Sequence, residues 1–222
     1  NHRKKDKPMD LQLEGKRALV LGASKGLGRA IAETLRAEGA EVVTVARSGN
    51  VDIAADLDDP AAPEAIIAAV RARGAAPDIL VLNAGGPPLG GAAHTSPADF
   101  AAVLPRMFNA QLALAQAFLP DMRARGFGRI LAIASTSIVA PMPGLVLSNA
   151  VRAMLASWCK TLAAEVAADG VTVNLLLPGQ IATDRLAELH AGRAAAIGTD
   201  TDTVRAAAIA AIPAGRLGRP EE

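Results

Sequence analysis

The run Gly22-Ala23-Ser24-Lys25-Gly26-Leu27-Gly28 is the part of this 222-residue sequence with the plainest chemical purpose. Its glycines permit a tight turn and let the backbone approach a bound group closely. It follows an apolar run, 17–21 (RALVL), and opens a helix-like stretch, 29–36. Free N–H groups and the positive end of the helix dipole therefore face the loop, which is how a protein cradles phosphate. Placed after a first strand, such a loop marks a dinucleotide site. A strand-to-helix turn that needs glycine only for packing would use the same letters. The next apolar run, 41–46 (EVVTVA), ends in Ala46-Arg47-Ser48, where an NAD site would carry an acidic residue for the ribose hydroxyls. Arg47, with Lys25, can instead neutralise a 2′-phosphate, so NADP(H) is favoured over NAD(H). Two solvated surface cations are the plainer alternative.

Other reactive residue types are sparse. His2, His94 and His190 are far apart and have no ligand spacing with Asp, Glu or Cys, so no metal is expected. His94 stands in a Gly- and Pro-rich stretch, 85–95 (GGPPLGGAAHT), that reads as the rim of a cleft or as an ordinary surface loop. Cys159 is the single cysteine and sits beside Trp158 and Leu162, as a structural thiol on a buried helix face would.

The elements that must position these residues follow one rhythm. Strands are expected at 17–21, 41–46, 51–54, 78–82 (DILVL), 129–134 (RILAIA) and 171–177 (VTVNLLL). Helices are expected at 29–36, 60–73, 97–124 with an interruption near Pro105, 146–167, and through 184–211. In the helix 146–167 the apolar stripe is Val146, Ala150, Ala153, Met154, Trp158, Leu162 and Val166, read first as a core stripe. Short apolar strands alternating with helices imply a parallel sheet covered on both faces: an α/β fold, a Rossmann-type doubly wound sheet in a single domain. Ligands of such sheets sit at the carboxyl ends of the strands, where the motifs above fall.

Composition agrees. Half of the residues are hydrophobic and the formal net charge is +1, so no global field points to nucleic acid or an anionic membrane. No apolar run is long enough to span a bilayer, and a cytoplasmic enzyme is the expectation. The basic stretch NHRKKDKP precedes Met9. Residues 1–8 are read as a vector-derived remnant or disordered arm rather than as a nucleic-acid-binding arm, and 9–222 as one dinucleotide-binding domain.

The motifs taken together resemble the short-chain dehydrogenase/reductase family, especially its 3-oxoacyl-acyl-carrier-protein reductases, from about Leu13 to the end. Gly22 to Gly28 is similar to the family's Gly-rich loop, and Asp56-Leu57 to the acidic-hydrophobic pair that frames the adenine. Asn83-Ala84-Gly85 resembles the Asn-Ala-Gly motif beside the cofactor. Pro178-Gly179-Gln180-Ile181-Ala182-Thr183 resembles the segment over the nicotinamide, with Ile181 and Thr183 at the carboxamide. The segment 213–222 (PAGRLGRPEE) resembles the one before the family's last helix and strand. The resemblance implies a homodimer or homotetramer paired through the helix 146–167, and a mobile lid at 184–211.

The catalytic positions depart from the family. Its serine corresponds to Ser135, but its Tyr-x-x-x-Lys pair falls on Ser148 and Arg152, its Asn falls on Met107 with Asn109 close by, and the chain contains no tyrosine. In the family the Tyr hydroxyl protonates the carbonyl oxygen and the Lys lowers its pKa. A serine hydroxyl is a poor acid at neutral pH, and Arg152 cannot cycle a proton as lysine does. Ser135, Ser148 and Arg152 can still form a set of hydrogen-bond donors about a carbonyl oxygen. Ser148 and Arg152 stand one helical turn apart and face the same way. Decay of an old site into ordinary helix and loop positions would leave the same residues.

Two function classes follow. One is an oxidoreductase moving hydride between NADP(H) and a carbonyl or alcohol substrate, such as a 3-oxoacyl thioester, without a catalytic Tyr. The other is a non-catalytic NADP(H)-binding sensor or scaffold. Two family segments are also expected to be short here: only 8 residues separate Arg47 from Asp56, and the sequence stops before the last helix and edge strand, which would leave an open sheet edge.

Overall fold

The computed structural model describes residues 10–222; the expected remnant or arm at 1–8 lies outside the described residues. Six parallel strands form one sheet in the order β3-β2-β1-β4-β5-β6. They are β1 (Arg17–Leu21), β2 (Glu41–Ala46), β3 (Ile53–Ala54), β4 (Ile79–Leu82), β5 (Gly128–Ile133) and β6 (Val171–Leu176). Strand order reverses between β1 and β4, which opens the crevice where such sheets hold their ligands.

Both faces of the sheet are buried, and alternation along each strand divides its side chains between two cores. Leu19, Leu21, Leu80 and Leu82 face one core, closed by α2 (Ala62–Ala72), α4 (Ala110–Ala124) and α5 (Val146–Val166). Ala18, Val20, Ile79 and Val81 face the other, beneath α1 (Gly26–Ala37). Phe118 and Met122 of α4 are wholly inaccessible, so truncating Phe118 to alanine would cost on the order of 3–5 kcal/mol.

Several expected boundaries move. Helix α1 starts at Gly26 rather than residue 29, so the loop's last glycines are already helical. The expected strand 51–54 contracts to Ile53–Ala54. Parallel neighbours ordinarily need a long crossover, but here residues 47–52 alone join β2 to β3. So short a link rewinds by only the length of two strand residues, giving the pairs Val45↔Ile53 and Ala46↔Ala54. Asp52 pins the link by accepting the Thr44 N–H at 2.8 Å and the Thr44 hydroxyl at 2.5 Å.

The expected helix 97–124 is two helices, α3 (Pro97–Leu104) and α4, joined by a wide π turn over Pro105–Asn109. Pro105 has no N–H to continue the ladder, so the turn loosens there. Gln111 compensates: its Nε2 donates to the carbonyls of Met107 at 3.0 Å and Arg106 at 3.2 Å. The expected helix through 184–211 breaks at Gly198, in the left-handed region at φ 70°, into α6 (Asp184–Ile197) and α7 (Thr201–Ala210).

The stripe on α5 is corrected. The core face carries Leu147, Val151, Leu155, Cys159, Leu162 and Val166, whereas Ala150, Ala153 and Met154 face outward and Trp158 is half-buried. Of the expected stripe only Leu162 and Val166 are core. Apolar residues also occur on the outer face, so periodicity alone ranks the two faces poorly. Strand β6 borders the sheet among the described residues, with Leu176 exposed. No helix among these residues is long and apolar enough to cross a membrane.

Candidate active site

The Gly-rich loop turns between β1 and α1. Gly22 sits at φ +61°, and a Cβ on Gly28 would lie 2.2 Å from the Gly22 carbonyl oxygen, so neither position accepts a side chain without rearrangement. Asn83, just after β4, donates from Nδ2 to the Gly22 carbonyl at 3.3 Å and ties the loop to the crevice. Lys25 occupies the N-cap position of α1 with no side-chain cap, so the first-turn N–H groups of Gly26, Leu27 and Gly28 are left for an anion. Ser24 lies against Gly49 of the β2–β3 link. These residues fit a dinucleotide's pyrophosphate.

On the β2 side of the crevice, Arg47 is exposed, with Nη1 at 4.0 Å from Asp56. Leu57 packs onto the main core, and Asp58 is held by Arg106 at 3.0 Å, so the loop carrying Asp56 and Leu57 is anchored from the π turn. Lys25 leans the other way, toward Asp184 at 3.6 Å and Glu188 at 3.9 Å, both on α6. The two cations assigned to one phosphate thus have separate partners in this structure.

After β6, Pro178 accepts from the Thr136 N–H at 3.4 Å, joining this segment to the one after β5. Ile181 forms a parallel bridge with Gly218, which ties the segment 213–222 to it. Thr183 caps α6, its Oγ1 accepting the Leu186 N–H at 3.3 Å, and its methyl lies 3.4 Å from where a Gly26 Cβ would be. Ala84 and Gly85 lie in the loop after β4, with open space where a Gly85 Cβ would go. Gly179 likewise has open space.

Two of the three candidate catalytic residues bond to each other, and Arg152 also reaches the carboxyl end of β5. Arg152 Nη1 donates to the Ile133 carbonyl at 2.6 Å and Arg152 Nε to Ser148 Oγ at 3.2 Å. Ser135, just past that strand end, accepts the Ser137 N–H at 3.1 Å and caps the short 3-10 turn Thr136–Ile138. Burial and the nearby Arg185 push Arg152 down to about 10, which leaves it a cation at neutral pH. Met107 is buried in the π turn. A depression of 460 Å³ lies alongside, lined by Ala92, Ile138, Met142, Val146, Ser137 and Asn149. Ser137 Oγ and Asn149 Oδ1 are buried there without a protein partner among the described residues.

A family model described as short chain dehydrogenase matches residues 16–194. The chain belongs to the short-chain dehydrogenase family. A 3-oxoacyl-[acyl-carrier-protein] reductase from Escherichia coli (strain K12) is 34% identical over 225 residues, covering 96% of this chain and 88% of that protein. An L-sorbose reductase from Gluconobacter frateurii, solved with NADPH and L-sorbose, superposes with a TM-score of 0.86 at 31% identity, covering 96% of this chain and 88% of that one. A 3-ketoacyl-(acyl-carrier-protein) reductase from Brucella melitensis, solved with NADH, gives a TM-score of 0.78 at 29% identity over 94% of this chain and 87% of that one.

Within this short-chain dehydrogenase, sequence reasoning missed two residues. Gln111, buried, fills the carbonyls of the π turn while its own Oε1 has no partner among the described residues. Arg185, in the first turn of α6, donates from Nη2 to the Pro87 carbonyl at 2.5 Å and lies 3.0 Å from where a Gly86 Cβ would stand. A signal for Arg185 was available: a cation in a helix's first turn opposes the dipole and needs a reason to be there. His94 is exposed in a 3-10 turn, Ala92–His94, and His190 is buried against Gln180 at 3.3 Å. Burial, with Arg205 and Arg193 nearby, lowers the His190 pKa.

Proposed function

We propose that residues 9–222 form a single NADP(H)-dependent domain that reduces a carbonyl group, or oxidises the matching alcohol, without a tyrosine. The Gly-rich loop from Gly22 to Gly28, with Ser24 and Lys25, would hold the pyrophosphate side, and Arg47 the 2′-phosphate. Asp56 and Leu57 would frame the adenine. Asn83, Ala84 and Gly85 would line the middle of the site, and Pro178, Gly179, Ile181 and Thr183 its nicotinamide end. The relatives support the cofactor class: one neighbour was solved with NADPH and another with NADH. The choice of NADP(H) rests on Arg47 and Lys25.

One observation carries the catalytic reading. Ser148 Oγ already accepts from Arg152, and Ser135 Oγ already accepts from the Ser137 N–H. Each hydroxyl is thereby held by its oxygen and keeps its own hydrogen to donate. A carbonyl oxygen between them would meet two oriented hydroxyl donors beside a guanidinium cation. When bound, the reduced nicotinamide supplies the hydride. The chain's donors stabilise the negative charge that develops on the oxygen, each worth on the order of 3 kcal/mol in a site without water. The proton comes from solvent, because neither serine nor Arg152 gives one up readily at neutral pH.

The second reading, a non-catalytic NADP(H) sensor or scaffold, is favoured by the absence of any tyrosine. Both readings expect NADPH binding. Only the first expects NADPH oxidation that depends on a carbonyl substrate, falling about 100-fold in Arg152→Met and in Ser135→Ala. The experiment is NADPH oxidation across acetoacetyl thioesters, ketoses and simple ketones, beside a fluorescence titration of NADPH. Tight binding without turnover would select the sensor. Met154, exposed beside Ala150 and Ala153 on the outer face of α5, supports the homodimer or homotetramer.

A further inference from the structure

The cleft between the carboxyl end of β5, the loop after β4 and the first turn of α6 has an unusual charge pattern. No Asp or Glu occurs at 79–98, 122–164 or 170–183, the stretches that supply β4 and its loop, β5 with the start of α5, and β6 with its loop. Two arginines border these acid-free stretches, Arg152 from α5 and Arg185 from α6, which itself carries Asp184 and Glu188. Arg152 is fixed on the β5 side by the Ile133 carbonyl and Ser148. Arg185 is fixed on the lid side by the Pro87 carbonyl, its guanidinium against the Gly86 backbone. Among the described residues Arg152 has no carboxylate partner. Arg185 has only Glu188 at 3.3 Å, on the same helix and shared with Lys25 at the other margin of the lid.

A desolvated cation without a counter-charge is costly, and a second one nearby makes it worse. Arg152 is such a cation, and Arg185, half-exposed and paired only with Glu188, lies near enough to repel it; an anion arriving beside them would neutralise that charge. Guanidinium groups also match the planar two-oxygen face of a carboxylate, and they take phosphate as well. Resting on the reductase reading above, we propose that the substrate is a carbonyl compound carrying its own oxyanion, carboxylate or phosphate, gripped by Arg185 while Arg152 and the two serine hydroxyls face the carbonyl oxygen. The anion places the carbonyl carbon, and it lowers the electrostatic cost of holding Arg152 charged in the cleft.

The test is a set of matched pairs assayed for NADPH oxidation: acetoacetate against ethyl acetoacetate, pyruvate against methyl pyruvate, and dihydroxyacetone phosphate against dihydroxyacetone. The expected result is a kcat/KM preference of about 100-fold for one class of anion, carried mainly by KM. The class preferred distinguishes carboxylate from phosphate. Arg185→Leu should collapse the preference to within about threefold, and Arg185→Lys should keep part of it, since charge remains without the fork. Thermal shift with acetoacetate or inorganic phosphate, with and without NADPH, reads anion binding independently of turnover. It also shows that the Arg185→Leu protein is folded.

Neutral members reduced as well as anionic ones would overturn the proposal and leave the reductase reading standing. Anion binding lost in Arg185→Leu, with no turnover of any compound by the unaltered protein, would uphold the anion site and overturn the reductase reading. A tenfold loss of NADPH affinity in Arg185→Leu, with the anion preference intact, would assign Arg185 to the cofactor and overturn the proposal.

Discussion

The two halves of the crevice are built from different materials. The β1–β4 half holds its shape by backbone: Gly22 at a left-handed φ, Gly28 with no room for a Cβ, and Asn83 bonded to the Gly22 carbonyl. The β5–α5 half holds its shape by side chains: Ser135, Ser148 and Arg152 around the end of one strand. A backbone cradle has no substitute chemistry, because any side chain collides with a carbonyl. A donor set has many, because hydroxyl, guanidinium and ammonium groups can each reach the same point. Substitution should therefore be poorly tolerated in the first half and better tolerated in the second.

The largest expected effect tests the rigidity of the first half. Gly28→Val would drive a methyl-bearing carbon into the Gly22 carbonyl, 2.2 Å from the ideal Cβ. Unfolding stability should fall by on the order of 4 kcal/mol, with NADPH binding lost. Gly85→Ala, where nothing lies within 4 Å, should stay within about 0.5 kcal/mol of the parent. Thermal and urea unfolding with an NADPH titration measure both. Equal tolerance at the two positions would remove the contrast between the halves.

The second half should accept the opposite kind of change. Restoring a phenol and an ammonium with Ser148→Tyr and Arg152→Lys together supplies a general acid, worth about 100-fold or more in turnover. The double variant should fold and gain at least that factor in kcat on whichever carbonyl the parent reduces. An inactive but folded double variant would mean that the scaffold has moved beyond simple exchange of side chains, and the sensor reading would gain.

Arg152 alone separates function from stability. Its pKa, depressed to about 10 by burial and Arg185, lies below the ordinary arginine value. Folding therefore disfavours the charged form, and at neutral pH the residue is a net electrostatic cost that fades only as pH rises above about 10. The hydrogen bonds to Ile133 and Ser148 offset part of it. Arg152→Met should leave stability unchanged or raise it by about 1 kcal/mol, while turnover falls about 100-fold. A large loss of stability would make Arg152 a structural residue first.

Legibility in the sequence followed the same division. The sheet, its parallel sense and the crevice were readable because apolar runs and glycine positions are local signals. The boundaries that moved, at Gly26, Ile53 and Gly198, depended on how many residues a turn needs to reverse, which tertiary pairing decides. The stripe on α5 was misread because Met154 and Leu155 are both apolar, and only the sheet beneath the helix selects Leu155. Arg185 was missed because its partners, Gly86 and Pro87, are nearly a hundred residues away in sequence. The spacing of Ser148 and Arg152 puts them one helical turn apart, but their mutual hydrogen bond depends on rotamers that the sequence does not set.

The smallest expected effects concern the far end of the crevice, where both cations are exposed. Arg47 has a weak partner in Asp56 at 4.0 Å, and its guanidinium can turn to a 2′-phosphate at little cost. Lys25 is engaged by two carboxylates of α6, at 3.6 Å and 3.9 Å, and must leave them or share itself. Exposed charge pairs are individually weak, so the preference for NADPH over NADH should drop about tenfold in Arg47→Ala and about threefold in Lys25→Ala. Fluorescence titrations with both cofactors at low and moderate salt read the ratio directly, and the effect should shrink as salt rises. If Lys25→Ala outweighs Arg47→Ala, the phosphate lies on the lid side, and α6 closes through it. If neither substitution changes the ratio, the two arms of the crevice hold a cofactor without a 2′-phosphate, and Arg47 is a surface cation paired with Asp56.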